Sequence, residues 1–311
     1  MRPDVVIILI NYNNHGQTIE CISSLNKCSY RNFKILVVDN GSEHPSIETV
    51  RKAHQNVEIV ETGTNLGFAG GNNFGIRSAL SKEPKYILLL NNDTIVEHDF
   101  LDALVDTLES DESIAVGGGM ICYHPRTDTI WYGGGKFVFW RVTAVHSDME
   151  QRADKQSALV SKDVTFITGC MMLIRTDVLK TTGLLDERFF MYCEDVEFCR
   201  RLVRLGYRLR YVPESKIFHK IHHGGETPFT VYYGVRSRFY LVEICLHGLE
   251  KYVGNIYLNC VTALKLLYWR KKRPELFQAA SAGLRDFRRG ITTRASNISL
   301  RYPEPKGPSG V

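Results

Sequence analysis

The sequence feature that most constrains the fold is an alternation of strand-like and helix-like segments over roughly the first ninety residues. Four short apolar runs predict buried strands, since a strand covered on both faces is apolar at successive positions. Helical patterns separate them at 16–25, at 46–53 and after the glycine-rich NLGFAGGNNFG as far as Leu80. This order predicts an α/β fold with a mostly parallel sheet flanked by helices. The predicted strands are Val5–Ile10, Phe33–Asp39, Val57–Val60 and Tyr86–Leu90.

Small polar residues follow each of these four strands. They are Asn11-Tyr12-Asn13, Asp39-Asn40-Gly41-Ser42, the segment 62–65, and Asn91-Asn92-Asp93. Turn chemistry alone explains one such strand end, because Asn and Asp favour turns. The carboxyl ends of parallel strands meet at one edge of the sheet, where ligands bind. Four polar ends together therefore predict a binding crevice at that edge.

The second half of the chain is less regular. DVTFITGCMMLIR (163–175) predicts a strand that runs into a glycine turn and back into an apolar run. A helix is predicted from Glu194 to about Leu205, with Gly206 as its C-terminal cap. RLRYV and SKIFHK then predict two further strands.

Composition places the chain among ordinary globular proteins. Its 311 residues are 44% apolar and 23% charged, which suits about two domains or one enlarged domain. The eight cysteines form no CxxC pair or zinc pattern, and there is no secretory signal pattern at the N-terminus. These features predict a cytoplasmic protein with reduced thiols.

A cationic, aromatic region lies near the C-terminus, within a net charge of +5. YVGNIYLNCVTALKLLYW (252–269) is interrupted by polar residues, so it does not predict a membrane span. RKKR follows it, and RDFRRG lies further on. The region predicts a helix on an anionic membrane surface; a partner-bound helix, a core helix and a solvated cationic face remain alternatives. Nucleic-acid binding would rest on the basic clusters alone and is not predicted.

Six stretches in one order resemble the family 2 glycosyltransferases, particularly the bacterial rhamnosyltransferase-like branch. The resemblance covers roughly residues 4–222 and implies the GT-A fold. It also implies inverting transfer of a sugar from a nucleotide-diphosphate donor. The stretches are VVIILINYNN, ILVVDNGS, NLGFAGGNNFGI, YILLLNNDTIV, FITGCMMLIRTDVL and GLLDERFFMYCEDVEFCRRLVRLGYRLRYVPESKIFH.

The resemblance assigns the nucleotide-sugar site to the strand ends. Asp39 would accept a hydrogen bond from the base, and Asn11 and Tyr12 would contact the base. The backbone near Asn65 and Gly67 would approach the donor, because glycine permits close contact. No P-loop pattern is present.

A divalent ion, Mn²⁺ or Mg²⁺, would offset the charge on the leaving diphosphate. The family usually carries Asp-x-Asp after the fourth strand, whereas this chain has Asn91-Asn92-Asp93. Asp93 is then the remaining carboxylate ligand, and Asn92 would contact ribose or phosphate. The resemblance assigns His219 to the metal or diphosphate, with His222 and His223 close by. An Asx turn at Asp93 and an ordinary core histidine at 219 are the alternatives.

Glu194 and Asp195 match the family's Glu-Asp pair at the start of a helix. Asp195 is predicted to be the general base for the acceptor hydroxyl, with Glu194 orienting the acceptor or sugar, although the two roles could be exchanged. Acidic residues also stabilise a helix N-terminus electrostatically, which is the structural alternative.

The expected protein is a hexosyltransferase of bacterial surface polysaccharide synthesis, at the inner face of the cell membrane. Its donor would be a dTDP- or UDP-linked sugar, with L-rhamnose as the expectation from the family, and its acceptor a saccharide carried on a lipid. The expected organisation is a GT-A domain at 1–225, divided into halves at 1–115 and 116–225. A helical extension at 226–300 and a flexible tail at 301–311 would follow. A nucleotidyltransferase or a catalytically silent carbohydrate-binding scaffold are the rival functions.

Overall fold

The computed structural model describes residues 2–43, 46–220 and 225–295. Its first half confirms the predicted alternation of strands and helices. The elements are β1 Val5–Asn11, α1 His15–Leu25, β2 Phe33–Asp39, α2 Ser46–Ala53, β3 Glu58–Glu61, α3 Gly67–Leu80 and β4 Tyr86–Asn91. The predicted tail at 301–311, and also His222 and His223, lie outside the described residues.

The rest of the chain adds further strands, including two long ones, with helices between them, and then three helices. These elements are β5 Thr94–Val96, α4 Phe100–Ser110, β6 Ile114–Tyr123, β7 Ile130–Tyr132, β8 Gly135–Val138, β9 Thr143–His146, β10 Lys162–Val164, β11 Met171–Arg175, α5 Thr176–Thr182, α6 Glu194–Arg204, β12 Arg208–His219, α7 Pro228–Cys245, α8 Gly248–Lys272 and α9 Pro274–Arg288.

One mixed sheet organises the molecule, in the strand order β10-β12-β6-β11-β4-β1-β2-β3. The strands β4, β1, β2 and β3 are parallel neighbours, as are β6 and β12. β11 lies antiparallel between β4 and β6, and joins the two parallel groups into one sheet. Helices cover the sheet, so the apolar side chains of β1 and β4 are buried on both faces.

The glycine-rich stretch is itself helical, which corrects the predicted start of α3 after Gly75. α3 begins at Gly67. Glycine weakens an isolated helix, but here tertiary packing outweighs that propensity. A Cβ at Gly75 would lie only 2.8 Å from side-chain carbons of Ile8 and Val38. The missing side chain therefore lets α3 pack closely on β1 and β2.

The two strands predicted after Gly206 are one strand, β12. Its pairing with β6 shifts register between Val212 and Lys216, so an irregularity accounts for the interrupted sequence pattern. Gly206 follows the end of α6 with a φ of +89°, as predicted for a C-terminal cap.

The last three helices pack on one another beside α6. α7 contributes buried Tyr232 and Tyr233 to a second apolar cluster that also contains Trp269 of α8 and Leu276 of α9. Among the described residues, every helix is too short or too polar to span a bilayer.

Candidate active site

A hydrogen-bonded chain of polar side chains joins the ends of β1, β2 and β4. Asn11 Nδ2 donates to Asp39 Oδ1 over 2.9 Å, and Asn11 Oδ1 accepts from Thr18 Oγ1 over 2.9 Å. Asn92 Nδ2 donates to the same Thr18 hydroxyl over 2.8 Å. Asn11 has no exposed surface and orients Asp39, and its contact with the nucleobase stays a prediction. Thr18 was not predicted, because a helical threonine carries no distinctive signal.

Tyr12 follows β1 and is half-buried at the same edge. Its hydroxyl accepts a hydrogen bond from Arg294 Nη2 over 3.0 Å. This contact across 282 residues was not predicted, because nothing in the sequence relates the two positions.

Asn65 and Gly67 build the turn that starts α3. Asn65 Oδ1 accepts from the Gly67 N–H over 2.8 Å. Gly67 has a φ of +76°, and a Cβ there would lie 2.1 Å from the carbonyl oxygen of Phe190. Phe190 therefore packs closely on Gly67, and the approach of the donor to this turn stays a prediction. The contact between Phe190 and Gly67 joins the α3 turn to the segment that leads into α6.

Asp93 and His219 form the polar centre of the crevice. His219 ends β12, opposite Thr94 of β5, so the pairing of these strands brings the imidazole to Asp93. His219 Nε2 lies 3.0 Å from Asp93 Oδ1. Burial disfavours the charged imidazole, but the Asp93 carboxylate and Cys170 together outweigh burial and raise the pKa of His219 well above its ordinary value.

These two side chains fit a divalent ion that takes its other ligands from phosphate and water. No group of three or more His, Cys, Asp or Glu side chains in the described ranges could hold an ion by itself. One carboxylate and one imidazole nevertheless suit Mn²⁺, and Mg²⁺ commonly uses few protein ligands plus substrate phosphates. The His219 ring is buried with Nε2 facing Asp93 Oδ1, so an ion held by these two groups would displace the proton between them.

Trp131 and His146 extend this centre and were not predicted. The ring centroid of Trp131 lies 4.9 Å from that of His219 and 4.6 Å from that of His146. Trp131 lies in the short strand β7, where its sequence context is simply aromatic. Only the pairing of β7 with β6 brings it to the crevice.

Glu194 and Asp195 begin α6 after two residues in the left-handed conformation. Tyr192 has a φ of 66° and Cys193 a φ of 73°, which are uncommon for residues other than glycine. Asp195 Oδ2 accepts from the Gly169 N–H over 3.0 Å, and its Oδ1 accepts from the Val196 N–H over 2.8 Å. These backbone donors hold the carboxylate in one orientation.

The two carboxyl groups differ in their surroundings. Glu194 is 5% exposed, and its Oε2 has no hydrogen-bond partner in the described part of the chain. Burial, and then the charge of Asp195, raise the pKa of Glu194 well above its ordinary value. Burial also raises the pKa of Asp195, against the lowering effect of its backbone donors. Asp195 is half-buried and its carboxylate is held by two backbone donors, which stabilise the ionised form and favour it as the base.

Gly169 and Cys170 connect the Asp93–His219 pair to the two carboxyl groups at the start of α6. The Cys170 carbonyl accepts from the Asn91 N–H over 2.9 Å at the end of β4, while the preceding Gly169 N–H binds Asp195. Burial raises the pKa of the Cys170 thiol, and the charges of His219, Asp93 and Asp195 all act on that thiol as well. The candidate metal ligands and the candidate base therefore share one site.

Known proteins resemble this chain in sequence. It is 26% identical to the rhamnosyltransferase WbbL of Escherichia coli (strain K12) over 234 residues, which cover 73% of this chain and 87% of that protein. It is 25% identical to the N-acetylglucosaminyl-diphospho-decaprenol L-rhamnosyltransferase of Mycobacterium tuberculosis (strain CDC 1551 / Oshkosh) over 248 residues, which cover 73% and 80%.

A solved structure of GalNAc-T7 with UDP, GalNAc and Mn²⁺ has a similar fold. The TM-score is 0.65 at 17% sequence identity, and the match covers 93% of this chain and 56% of that one. The GT-A fold that the sequence resemblance implied is thereby confirmed. The model of the family described as "Glycosyl transferase family 2" matches residues 6–183. With more than half of its length matched, and with the strand-end site in place, the chain belongs to glycosyl transferase family 2.

Proposed function

We propose that the protein transfers a sugar, with inversion, from a nucleotide-diphosphate donor to the hydroxyl of a saccharide acceptor. The observation that carries this proposal is the shared site, in which Gly169 and Cys170 link Asp195 to the Asp93–His219 pair. A diphosphate bound at the strand ends would be the leaving group, and Asp195 at the start of α6 would be the general base. The reaction needs both.

The proposed reaction is a single displacement at the anomeric carbon of the donor sugar. Asp195 accepts the acceptor hydroxyl proton as the oxygen attacks, and the bond from carbon to the diphosphate oxygen breaks. Asp93 and His219 would hold an ion, Mn²⁺ or Mg²⁺, which as a Lewis acid offsets charge on the leaving diphosphate. Asp39, oriented by Asn11, would accept a hydrogen bond from the nucleobase, and Asn92 would contact ribose or phosphate.

The donor class is argued from the relatives. Both named relatives are rhamnosyltransferases, so we propose L-rhamnose as the sugar, carried by dTDP, with UDP-linked hexoses as the alternative. The decaprenol-linked substrate in the name of one relative supports a lipid-linked saccharide acceptor in surface polysaccharide synthesis.

A donor screen tests the proposal. Purified protein, acceptor and Mn²⁺ are incubated with dTDP-rhamnose and UDP-hexoses, and release of the nucleoside diphosphate is measured. We expect release that requires the acceptor and exceeds slow hydrolysis. Release of pyrophosphate from sugar phosphate and a nucleoside triphosphate would instead indicate a nucleotidyltransferase. Saccharide binding without any turnover would indicate a silent scaffold.

We also propose a division of the chain, revised from the sequence-based boundaries. The boundary predicted at 115 falls inside β6, which starts at Ile114, so the loop at 111–113 is a better junction between the nucleotide-sugar half and the acceptor half. The extension predicted from 226 begins in the structure with α7 at Pro228.

The exposed face of α8 supports docking on the inner face of a bacterial membrane. Large apolar side chains recur on it at intervals of three, four or eight residues, although the helix buries Trp269 on its other side. Arg270, Lys271 and Lys272 are exposed at its end. The exposed apolar residues are Leu249 (76%), Tyr252 (66%), Ile256 (48%), Leu264 (67%), Leu267 (67%) and Tyr268 (61%).

Changing Arg270, Lys271 and Lys272 to serine is expected to weaken binding to anionic vesicles. Each cation contributes about 1 kcal/mol near an anionic surface, so three correspond to about a hundredfold in partitioning at low salt. Arg273 is left unchanged because it pairs with Glu275 and donates to the Glu226 carbonyl. Sedimentation with anionic and neutral vesicles at low and high salt measures the effect.

The matched control changes exposed Lys27, Arg31 and Lys34 to serine, which removes the same charge from another surface. It should pellet like the unaltered protein. Equal pelleting of both triple variants in every condition would show that the α8 cations do not dock the protein on membranes. Self-association of the unaltered protein without vesicles would assign the α8 face to a second copy of the chain.

A further inference from the structure

The segment after α9 returns to the nucleotide-binding edge of the sheet. Arg294 Nη2 donates to the Tyr12 hydroxyl over 3.0 Å, and its guanidinium carbon lies 5.7 Å from the centre of the Tyr12 ring. Within the described part of the chain, both its polar and its ring contacts go to Tyr12. The side chain is exposed, so its charge faces the crevice edge without a carboxylate bound to it there.

One face of α7 holds this segment in place. Tyr233, Arg236 and Tyr240 lie three and four residues apart and are buried. Arg236 donates to the carbonyls of Thr293 (2.7 Å) and Thr292 (3.2 Å). The Tyr240 hydroxyl donates to the Ile291 carbonyl over 3.3 Å, and the Tyr233 hydroxyl accepts from the Ala295 N–H over 3.0 Å.

Among these residues, Arg236 shows most clearly that the segment is held in place. Burying a guanidinium costs free energy unless its N–H groups are hydrogen-bonded. Arg236 has no exposed surface, and its Nη1 also donates to the Tyr232 hydroxyl over 3.2 Å. That hydroxyl in turn donates to Asp286 Oδ2 over 2.6 Å. A buried cation and its hydrogen bonds thus hold an irregular segment whose projecting side chain is Arg294.

We infer that Arg294 binds the diphosphate of the nucleotide donor, and that Arg236 is a positioning residue for it. The inference rests on the proposed donor class. Tyr12 follows Asn11, which bonds Asp39 on one side and, through Thr18, Asn92 beside Asp93 on the other. Arg294 therefore lies at the edge of the sheet where both the nucleobase and the diphosphate of the proposed donor would bind. A guanidinium forms two parallel hydrogen bonds with phosphate oxygens, whereas a neutral tyrosine hydroxyl is a weaker partner. Arg294 therefore exchanges Tyr12 for phosphate when the donor binds.

The test compares Arg294→Gln with the unaltered protein by competition calorimetry in the presence of Mn²⁺. The probes are UDP and dTDP, together with uridine and thymidine, which lack phosphate. We expect the variant to bind the diphosphates about tenfold to a hundredfold more weakly, as for loss of hydrogen bonds to a charged group, and the nucleosides equally well. The salt dependence of diphosphate binding should also decrease.

Arg31→Gln, an exposed arginine elsewhere on the surface, is the matched control and should bind every probe normally. Tyr233→Phe removes the acceptor for the Ala295 N–H and should give a smaller loss for diphosphates alone, as should Arg236→Lys if that variant retains the circular dichroism spectrum. Unchanged diphosphate binding in Arg294→Gln, or an equal loss for nucleosides, would overturn this inference but leave the proposed function standing. Absence of diphosphate binding by the unaltered protein would overturn both the inference and the proposed function.

Discussion

Replacement of Asp195 by asparagine is expected to lower turnover by about 10²–10⁴-fold while leaving nucleotide binding intact. The amide has nearly the same shape, but it cannot accept the acceptor hydroxyl proton. One Asp195 oxygen accepts from Gly169 and the other from Val196, so an amide oxygen retains one of these bonds. Calorimetry with the nucleoside diphosphate and a transfer assay separate binding from chemistry.

Asp177→Asn is the matched control. Asp177 also lies in the first turn of a helix and accepts from the next backbone N–H over 2.8 Å, but in α5, where it is exposed. Normal turnover is expected for Asp177→Asn. If the loss in Asp195→Asn came only from a missing charge at a helix N-terminus, Asp177→Asn would show the same loss. If Asp195→Asn turns over normally and Glu194→Gln is inactive, the two roles are exchanged. Normal turnover of both Asp195→Asn and Glu194→Gln would exclude these two carboxyl groups from catalysis.

The pH profile follows from the same carboxylate. Burial raises the pKa of Asp195, and only its ionised form accepts a proton. The acid limb of kcat/KM should therefore lie above the ordinary range of an aspartate, and activity should decrease as pH falls through that raised pKa. Burial, and then the Asp195 charge, also raise the pKa of Glu194, so the two carboxyl groups titrate as a coupled pair. The residual activity of Asp195→Asn should lack this limb.

Removal of the Asp93 carboxylate by Asp93→Ala is expected to abolish metal-dependent transfer, with a loss of about 10³-fold or more. Lewis-acid stabilisation of a leaving oxygen contributes several kcal/mol to a transition state, and each 1.36 kcal/mol corresponds to about tenfold in rate. Asp93 is the carboxylate that lies beside His219 at the end of the fourth strand. Turnover as a function of Mn²⁺ and Mg²⁺ concentration, with thermal denaturation as a check on folding, measures the effect.

Asp93→Asn keeps the side-chain volume and should also need more metal, whereas Asp99→Ala, at an exposed acid six residues later, should behave normally. Diphosphate affinity should fall with metal affinity in both Asp93 variants, because Asp93 would hold the ion that the donor phosphates also need. Unaltered turnover and an unaltered metal requirement in folded Asp93→Ala would exclude Asp93 from the ion site.

The predictable parts of the fold are those in which local pattern and burial agree. β1, β4 and the part of β2 from Ile35 to Val38 are buried on both faces, so these stretches are continuously apolar and their ends appear as abrupt polar residues. The start of α3 was mispredicted because glycine lowers helix propensity, and only the close contact of Gly75 with Ile8 and Val38 compensates for it.

The composition of the site follows a similar division. Asp93, His219, Glu194 and Asp195 were identified because they match motifs at the ends of strands and the start of a helix. Thr18, Trp131, Cys170 and Arg294 were not, because an isolated threonine, tryptophan, cysteine or arginine is common in any sequence. Their relevance arises from contacts between distant segments, such as Arg294 with Tyr12.

By itself, the sequence determined the order of strands and helices in the first ninety residues, the family and the polar edge, because apolar periodicity and short motifs are local properties of the chain. Tertiary structure alone decided that β11 enters antiparallel and that Gly169 joins Asp195 to the end of β4. It also decided that the segment held by Arg236 reaches Tyr12. These features depend on strand pairing and on packing between residues far apart in sequence, where the stabilising contacts form only once the chain has folded.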